Sequence, residues 1–313
     1  MKNFCLIGAA GYIAPRHMQA IIENESNLIA AYDINDSVGV IDKYAPEAEF
    51  FTEFQQYENY LKGQLAEGNK INYTSICSPN NFHFDHIVHG LKIGSDVICE
   101  KPLVLTIEEL KKLKVLEQKY QKKIYTLLQL RHHPSIINLK KNIEKTHDKS
   151  FDVDLSYITS RGNWYYKSWK GNDEISGGIA TNIGIHFFDM LCFVFGDPKH
   201  YELHFKNEGT IAGYLELEKA RVRWILSIDR DNLPTKLDNN QRTFRSIKVD
   251  GTEFEFSDGF TDLHTESYKN ILSGNGFGID EAEKSIKIVE DIRDLSIEKN
   301  ELNFHPSLKG IIK

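Results

Sequence analysis

Asp96-Val-Ile-Cys-Glu-Lys-Pro-Leu103 is the stretch on which the reading of this chain turns. Val97, Ile98 and Cys99 make a short apolar run that reads as a buried strand. Glu100 and Lys101 arrive side by side where that strand ends, because Pro102 has no N–H for a ladder and holds its neighbour extended. Two charged groups at the carboxyl end of a buried strand occupy the edge where open α/β sheets bind ligands. Alone, the same residues would also suit a solvated turn. The flanking sequence decides between the two.

Upstream, Asn3 to Ile7 is an apolar strand followed at once by Gly8-Ala-Ala-Gly-Tyr-Ile-Ala14 and a helical pattern to about Glu23. Strand, glycine turn and helix form the context of a dinucleotide fingerprint. Gly8 permits the tight turn, Gly11 lets a pyrophosphate approach the helix start, and Ala14 is small enough for close packing. Ala10 stands where a second glycine is expected. Gly8, Ala10, Gly11, Tyr12 and Ile13 are the candidate contacts of this turn. The next strand, Leu28 to Tyr32, ends in Asp33, about 20 residues on, where a carboxylate can bond ribose hydroxyls. Asp33-Ile-Asn-Asp36 supplies no arginine for a 2′-phosphate, so NAD is favoured over NADP, with Asn35 beside the ribose.

A third strand fits Glu49 to Phe51 and a fourth Asn72 to Cys77. The fourth runs into Ser78-Pro-Asn80, short polar groups that suit a ribose or pyrophosphate. His83, His86 and His89 recur at i, i+3, i+6 on the helix that follows. No carboxylate or cysteine completes a ligand set there, so no metal is expected. Thr106 and Glu109 form a capping box. A sixth strand is expected over Ile124 to Leu130, with Gln129 and Arg131 at its end. Alternating strands and helices give a doubly wound parallel sheet. Gly8, Asp33, Ser78, Glu100 and Arg131 then share one edge, with Glu100 and Lys101 among the cofactor contacts.

From Phe151 the pattern changes to period-2 alternation, as in half-exposed antiparallel strands. Further strands fit Tyr201–Phe205, Ile211–Glu218, Arg221–Asp229 and Ser246–Val249. The expected fold is an α/β Rossmann domain over 1–130 and an α+β domain with a mostly antiparallel open sheet over 131–313. Helices from about Thr261 to Leu272 and from about Asp280 to Asn300 close the chain, and one is expected to pack back on the first domain. Ser160-Arg-Gly-Asn-Trp-Tyr-Tyr-Lys-Ser-Trp-Lys170 concentrates aromatics and cations that suit a sugar face, a base and acidic groups. Gly177-Gly-Ile-Ala-Thr-Asn-Ile-Gly-Ile-His-Phe-Phe-Asp189 is helical in its middle. Asn182, His186 and Asp189 fall at i, i+4, i+7 on one face of a mostly apolar helix, which is costly to bury without a purpose.

The bulk numbers set limits. With 313 residues the chain can hold two domains. Its net charge of −7 argues against nonspecific nucleic-acid or acidic-membrane binding. No apolar run reaches the ~18 residues of a membrane span. The opening Met1-Lys-Asn-Phe-Cys-Leu-Ile-Gly8 does not read as a signal peptide. Cys5, Cys77, Cys99 and Cys192 are far apart, three of them in apolar runs, and suit a reducing compartment. A cytoplasmic location is expected.

These motifs together resemble the glucose-fructose oxidoreductase / inositol dehydrogenase (Gfo/Idh/MocA) family. The glycine turn, Ser78-Pro-Asn80 with His83, Glu100-Lys-Pro102, Arg131-x-x-Pro134 and Gly-x-x-x-x-Gly-x-His186-x-x-Asp189 carry the resemblance across most of the chain. More narrowly the sequence resembles the UDP-2-acetamido-2-deoxy-glucuronate 3-dehydrogenases of bacterial O-antigen synthesis. Gly8 to His17, Ala31 to Asp36, Ile158 to Trp164 and Gly259 to His264 carry this closer likeness. It implies oxidation of C3 of UDP-N-acetylglucosaminuronate by NAD+, with 2-oxoglutarate as hydride acceptor in some members. It implies a homotetramer or dimer. The family often has Asp where Asn182 stands, and an Asn orients a sugar rather than taking its proton. Lys101 and His186 are the expected catalytic pair on one oxygen. Arg161, Asn163, Trp164, Lys170 and Asn182 are the expected further substrate contacts. Two alternatives stand beside this reading: a dehydrogenase of another sugar or an inositol, and a non-catalytic NAD-sensing module.

Overall fold

The computed structural model describes residues 1–146, 149–234, 241–254 and 262–311. Its strands, in chain order, are β1 Asn3–Ile7, β2 Asn27–Tyr32, β3 Glu49–Phe51, β4 Tyr73–Ile76, β5 Asp96–Cys99, β6 Ile124–Thr126, β7 Phe151–Thr159, β8 Pro198–Lys206, β9 Thr210–Leu217, β10 Ala220–Ser227, β11 Thr243–Val249 and β12 Thr252–Glu253. The helices are α1 Ala14–Glu23, α2 Ile41–Tyr44, α3 Phe54–Ala66, α4 His83–Lys92, α5 Ile107–Tyr120, α6 Pro134–Glu144, α7 Trp164–Lys167, α8 Asp173–Ser176, α9 Ile185–Phe195, α10 Leu263–Leu272 and α11 Ile279–Asp294. They form two compact units, Met1–Gln129 with Thr261–Glu283, and Leu130–Phe260 with Lys284–Lys313.

The first unit holds a six-stranded sheet in the order β3-β2-β1-β4-β5-β6, parallel throughout. The chain leaves the centre at β1, winds out to β3, then crosses to β4, so the topological switch lies between β1 and β4. Register fixes the binding edge. Ile7 pairs with Tyr32 and with Ile76, Ile76 with Cys99, and Cys99 with Thr126. The next residues of four strands, Gly8, Asp33, Cys77 and Glu100, therefore line up along one carboxyl edge. Phe4, Leu6 and Ile98 point into the core beside Met18 and Ile21 of α1. Tyr268 brings α10 onto the same core, stacking on Phe4 at 5.8 Å between ring centroids. The capping box opens α5: Glu109 N–H donates to Thr106 Oγ1 and Thr106 N–H to Glu109 Oε2, both at 3.2 Å.

The second unit holds a sheet in the order β12-β11-β7-β10-β9-β8. It is antiparallel except where β7 and β10 run parallel. The buried helix α9 covers one face, with Phe188 edge-on to Trp224 of β10 at 5.2 Å. Gly213 makes room for that indole, since a Cβ there would lie 2.6 Å from Trp224 Cζ2 and 2.2 Å from the Glu202 carbonyl oxygen. Leu308, with Phe304 and Ile311, packs against Ala212 and Ile225. His305 reaches Ser156 Oγ at 3.1 Å. The chain's own last described segment thus covers part of the sheet. By length and composition Asp173–Phe195 could cross a membrane, but 72% of its apolar window is buried inside the protein. It is a core helix.

Two expected elements end early. The sixth strand stops at Thr126, and Gln129–His132 is a 3₁₀ turn. Leu127, Leu128 and Leu130 are buried all the same. An apolar run reports burial and does not distinguish a strand from an enclosed turn. The last long helix stops at Asp294, after which Ile297 bridges to Leu203 of β8.

Candidate active site

In the first unit the site grows from the β1–α1 turn. Gly8 has φ +93°, and a Cβ on it would lie 2.6 Å from the backbone of Cys77 and Ser78. The turns after β1 and β4 therefore abut, and only glycine lets them. Gly11 N–H donates to the Gly8 carbonyl at 3.1 Å. Helix α1 begins with Ala14 and Pro15, has no side-chain cap and carries no acidic residue in its first turn. Ala14 and Arg16 N–H bond the Gly11 and Ile13 carbonyls at 3.1 and 3.0 Å and Pro15 has no N–H, so this end offers an anion its positive dipole. Tyr12 is exposed and Ile13 half-buried beside it.

Asp33 folds back onto this turn. Its Oδ2 accepts from Ala10 N–H at 2.9 Å, and its Oδ1 from Asn35 N–H at 2.9 Å. Ala10 thus serves through its main chain. Each carboxylate oxygen keeps a lone pair for a ribose hydroxyl. The Gln129 Oε1 is buried with no hydrogen-bond partner. The uncapped helix start, the glycine cradle and Asp33 fit a dinucleotide.

Ser78, Asn80 and His83 are all buried, with Pro79 half-buried. Ser78 Oγ lies 2.8 Å from His86 Nδ1. His83 is fully enclosed, its Nδ1 2.7 Å from the Pro102 carbonyl and its Nε2 2.9 Å from the Ser78 carbonyl. Burial lowers its pKa and favours the neutral ring, whose single N–H can donate to one of these two carbonyls. Glu100 also points inward. Its Oε1 accepts from His17 Nε2 and His264 Nε2, and its Oε2 from Lys101 N–H. Its carboxylate serves the protein's own donors. Lys101 itself is half-buried.

Burial pushes His86 down to about 4, helped by its neighbours His83 and His89. The unfolded chain takes up that proton near 6.5. Stability from the neutral ring is therefore complete above about pH 6.5 and is lost as pH falls toward 4. Urea titrations should show wild type losing on the order of 2 kcal/mol between pH 7 and 5 that His86→Gln does not lose. Equal losses in both proteins would refute this.

In the second unit Gly177 and Gly178 take φ near +78° and +79° and break the chain before the apolar helix. Ala180–Gly184 forms a π turn, and α9 follows. A Cβ on Gly184 would lie 2.5 Å from Leu226 Cδ1, so what approaches that glycine is β10. The half-buried Asn182 donates through Nδ2 to Tyr165 OH at 3.0 Å. His186 is half-buried one turn later.

Asp189 is buried and held by Arg131 through two bonds, Nε to Oδ2 at 3.0 Å and Nη2 to Oδ1 at 2.7 Å. The Arg131 guanidinium also lies 5.1 Å from the Phe193 ring centroid. Arg131 was expected at a strand end beside the cofactor. It sits instead in the turn after β6 and in the second unit, where its fork answers the aspartate that α9 buries.

Arg161, Asn163 and Trp164 are exposed, and Lys170 is half-buried. The Lys170 ammonium lies 5.8 Å from the Trp164 ring and 5.6 Å from the Trp169 ring. Burial lowers its pKa, and the Arg161 charge lowers it further. Two mutually repelling cations beside an indole make a setting that an anion relieves. Gly259, Phe260 and Thr261 of the expected Gly259–His264 stretch lie outside the described residues.

Sequence reading missed His17, His264, Tyr268 and Tyr165 as working groups. His17 carried a signal: it falls with Ile13 and Ile21 on one helical stripe, a polar residue on an apolar face.

Residues 2–127 match the family described as an oxidoreductase family with an NAD-binding Rossmann fold, and residues 149–297 its C-terminal alpha/beta domain. The WlbA (WbpB) dehydrogenase from Thermus thermophilus, in complex with NAD and alpha-ketoglutarate, is 50% identical over 98% of this chain and 99% of its own, with a TM-score of 0.94. The same dehydrogenase in complex with NAD and UDP-GlcNAcA aligns at 48% identity over 98% of this chain and 99% of its own, with a TM-score of 0.94. Among curated proteins, the D-glucoside 3-dehydrogenase of Escherichia coli (strain K12) is 29% identical over 41% of this chain and 37% of its own length. The chain spans about half or less of the curated relatives it matches first. This chain belongs to the Gfo/Idh/MocA oxidoreductase family.

Proposed function

We propose that this chain oxidises the C3 hydroxyl of UDP-N-acetylglucosaminuronate to the 3-keto sugar in the cytoplasm, for lipopolysaccharide O-antigen sugar synthesis. The observation that carries this reading is the full-length likeness to the Thermus thermophilus dehydrogenase seen with NAD and UDP-GlcNAcA. Likeness to a 3-dehydrogenase of glucosides supports C3 as the carbon oxidised. The first unit would hold NAD through the α1 N-terminus, the Gly8 turn and Asp33, and the second would hold the sugar nucleotide.

When bound, NAD+ supplies the acceptor for the hydride leaving C3. His186 takes the C3 hydroxyl proton, and Lys101 donates to the same oxygen as negative charge develops on it. The two groups can exchange these roles. Asn182, steadied by Tyr165, orients a sugar hydroxyl. Arg161 and Lys170 answer the carboxylate or diphosphate, with Asn163 and the Trp164 indole beside them. The 2-oxoglutarate complex of the Thermus protein favours that keto acid as the compound that reoxidises the cofactor. Assembly as a homotetramer or dimer goes with this reading.

The test is a substrate panel followed by NADH absorbance. UDP-N-acetylglucosaminuronate with NAD+ should give turnover, and with NADP+ far less. Added 2-oxoglutarate should allow many turnovers without net NADH. Activity confined to free inositols or simple glucosides would overturn the nucleotide-sugar reading.

A further inference from the structure

Glu100 lies at the centre of a buried polar chain that the reaction chemistry does not require. Its Oε1 is 3.2 Å from His17 Nε2 and 2.9 Å from His264 Nε2. His17 Nδ1 is 2.8 Å from Tyr268 OH, and that hydroxyl is 2.7 Å from Ser75 Oγ. Ser75, His17 and Tyr268 are wholly enclosed. Helices α1 and α10 thus meet on the carboxylate at the end of β5, and β4 joins the chain through Ser75 and Tyr268.

With Glu100 ionised and His17 neutral, donor and acceptor counts place the protons. An ionised carboxylate can only accept, so both histidines present Nε2–H to it. Neutral His17 then accepts at Nδ1, so Tyr268 donates its hydroxyl there. Tyr268 in turn accepts from Ser75. Burial pushes the Glu100 carboxyl up, but donation by His17 and His264 outweighs it and leaves the group well below the ordinary carboxylate range. Burial also pushes His17 down, which favours its neutral form.

The other oxygen shows what the chain does. Glu100 Oε2 accepts the Lys101 main-chain N–H at 3.2 Å. On the far side of Lys101 the Pro102 carbonyl lies 2.7 Å from His83 Nδ1. The backbone that carries the Lys101 side chain is therefore held by the Glu100 carboxylate. An unpaired charge at Glu100 would be expensive at this depth, so the grip depends on both histidines.

We propose that His17 and His264, acting through Glu100, are positioning residues for Lys101. This inference rests on the reading of Lys101 as a group that touches the reacting hydroxyl. His17 closes the first of the stretches that carry the closer resemblance, and His264 closes the last. Their shared purpose would be this carboxylate. The three side chains also bring potential ligand atoms within 4.8 Å of one another. Separations of 2.9 and 3.2 Å are direct hydrogen bonds and need no ion between them.

The test uses the full-length protein with NAD+ and the sugar nucleotide. His264→Phe keeps the ring and removes the donor. It should lower kcat by about 10- to 100-fold, because a displacement of about 1 Å at a reacting group costs that much. KM for NAD+ should stay within about twofold, since the donor removed does not touch the cofactor. His264→Gln returns an N–H near the Nε2 position and should recover most of the lost kcat. Tyr268→Phe, nearly isosteric, should lower kcat in the same direction. Its effect should vanish in the Glu100→Gln background, as coupled members of one chain require.

A rise in KM for NAD+ at unchanged kcat would overturn the proposal. So would failure of His264→Gln to rescue at wild-type melting temperature, or additive effects of Tyr268→Phe and Glu100→Gln. Stoichiometric metal in the purified protein would overturn the hydrogen-bond assignment itself. If Lys101→Met kept normal turnover, the fault would lie in the reading of Lys101. If that variant were dead and His264→Phe unaffected, only the positioning role would fall.

Discussion

Lys101→Met is expected to lower kcat by about 10²- to 10⁴-fold while NAD+ binding stays within a few-fold. Methionine keeps the length and apolar body of the lysine stem and removes the ammonium. On the proposed mechanism that group stabilises charge on the C3 oxygen, which exists only as the hydride leaves. Its loss therefore falls on kcat and kcat/KM alike and spares ground-state binding. NAD+ affinity, read by fluorescence titration, checks that the Gly8 turn and Asp33 are undisturbed. His186→Asn should give a loss of similar size, and the double variant little more, because the two groups would serve one proton and one oxygen. Normal turnover by Lys101→Met would remove the catalytic assignment, whatever the substrate panel shows.

Asp189→Ala should destabilise the protein by about 3–5 kcal/mol, because it removes the carboxylate that answers the enclosed Arg131 guanidinium through two bonds. The side chains of Arg131 and Asp189 are only 9% and 3% exposed, so water cannot take over. Arg131→Met should cost a comparable amount for the mirror reason. Combining Arg131→Met with Asp189→Leu should recover much of the loss, since an apolar pair of similar volume avoids desolvating two ions. Chemical denaturation of the four proteins measures the cycle. Additive losses in the double variant would show that the pair does not act as a unit. A full loss of turnover in a double variant as stable as wild type would return Asp189 to a part in the chemistry, which the helix-face spacing first suggested.

These two cases divide along the line between what local sequence carries and what it does not. Strand, glycine turn and helix at Ile7 to Ala14 were legible because each step has its own local cause: an apolar run, a residue tolerant of positive φ, a periodic stripe. The same holds at Cys99 to Pro102, where proline ends a buried strand. Period-2 alternation from Phe151 likewise told of a sheet with differing faces, and the parallel pairing of β7 with β10 was the part it could not tell. The apolar run Ile124 to Leu130 misled because burial has no direction; the edge strand ends at Thr126, whose N–H goes to the Phe277 carbonyl.

The sequence by itself determined which residue types arrive at the carboxyl edge of the parallel sheet, since a strand's end and the turn after it are written in consecutive residues. It also marked His186 and Asp189 as residues of one helix, whereas Asn182 falls in the π turn that leads into it. The partner of each group is set by folding. Glu100 and His264 are 164 positions apart and meet at 2.9 Å. Arg131 and Asp189 are 58 apart and meet through two bonds. No local pattern encodes such partners, because a buried charge is satisfied by whichever donor the packing of distant elements brings to it.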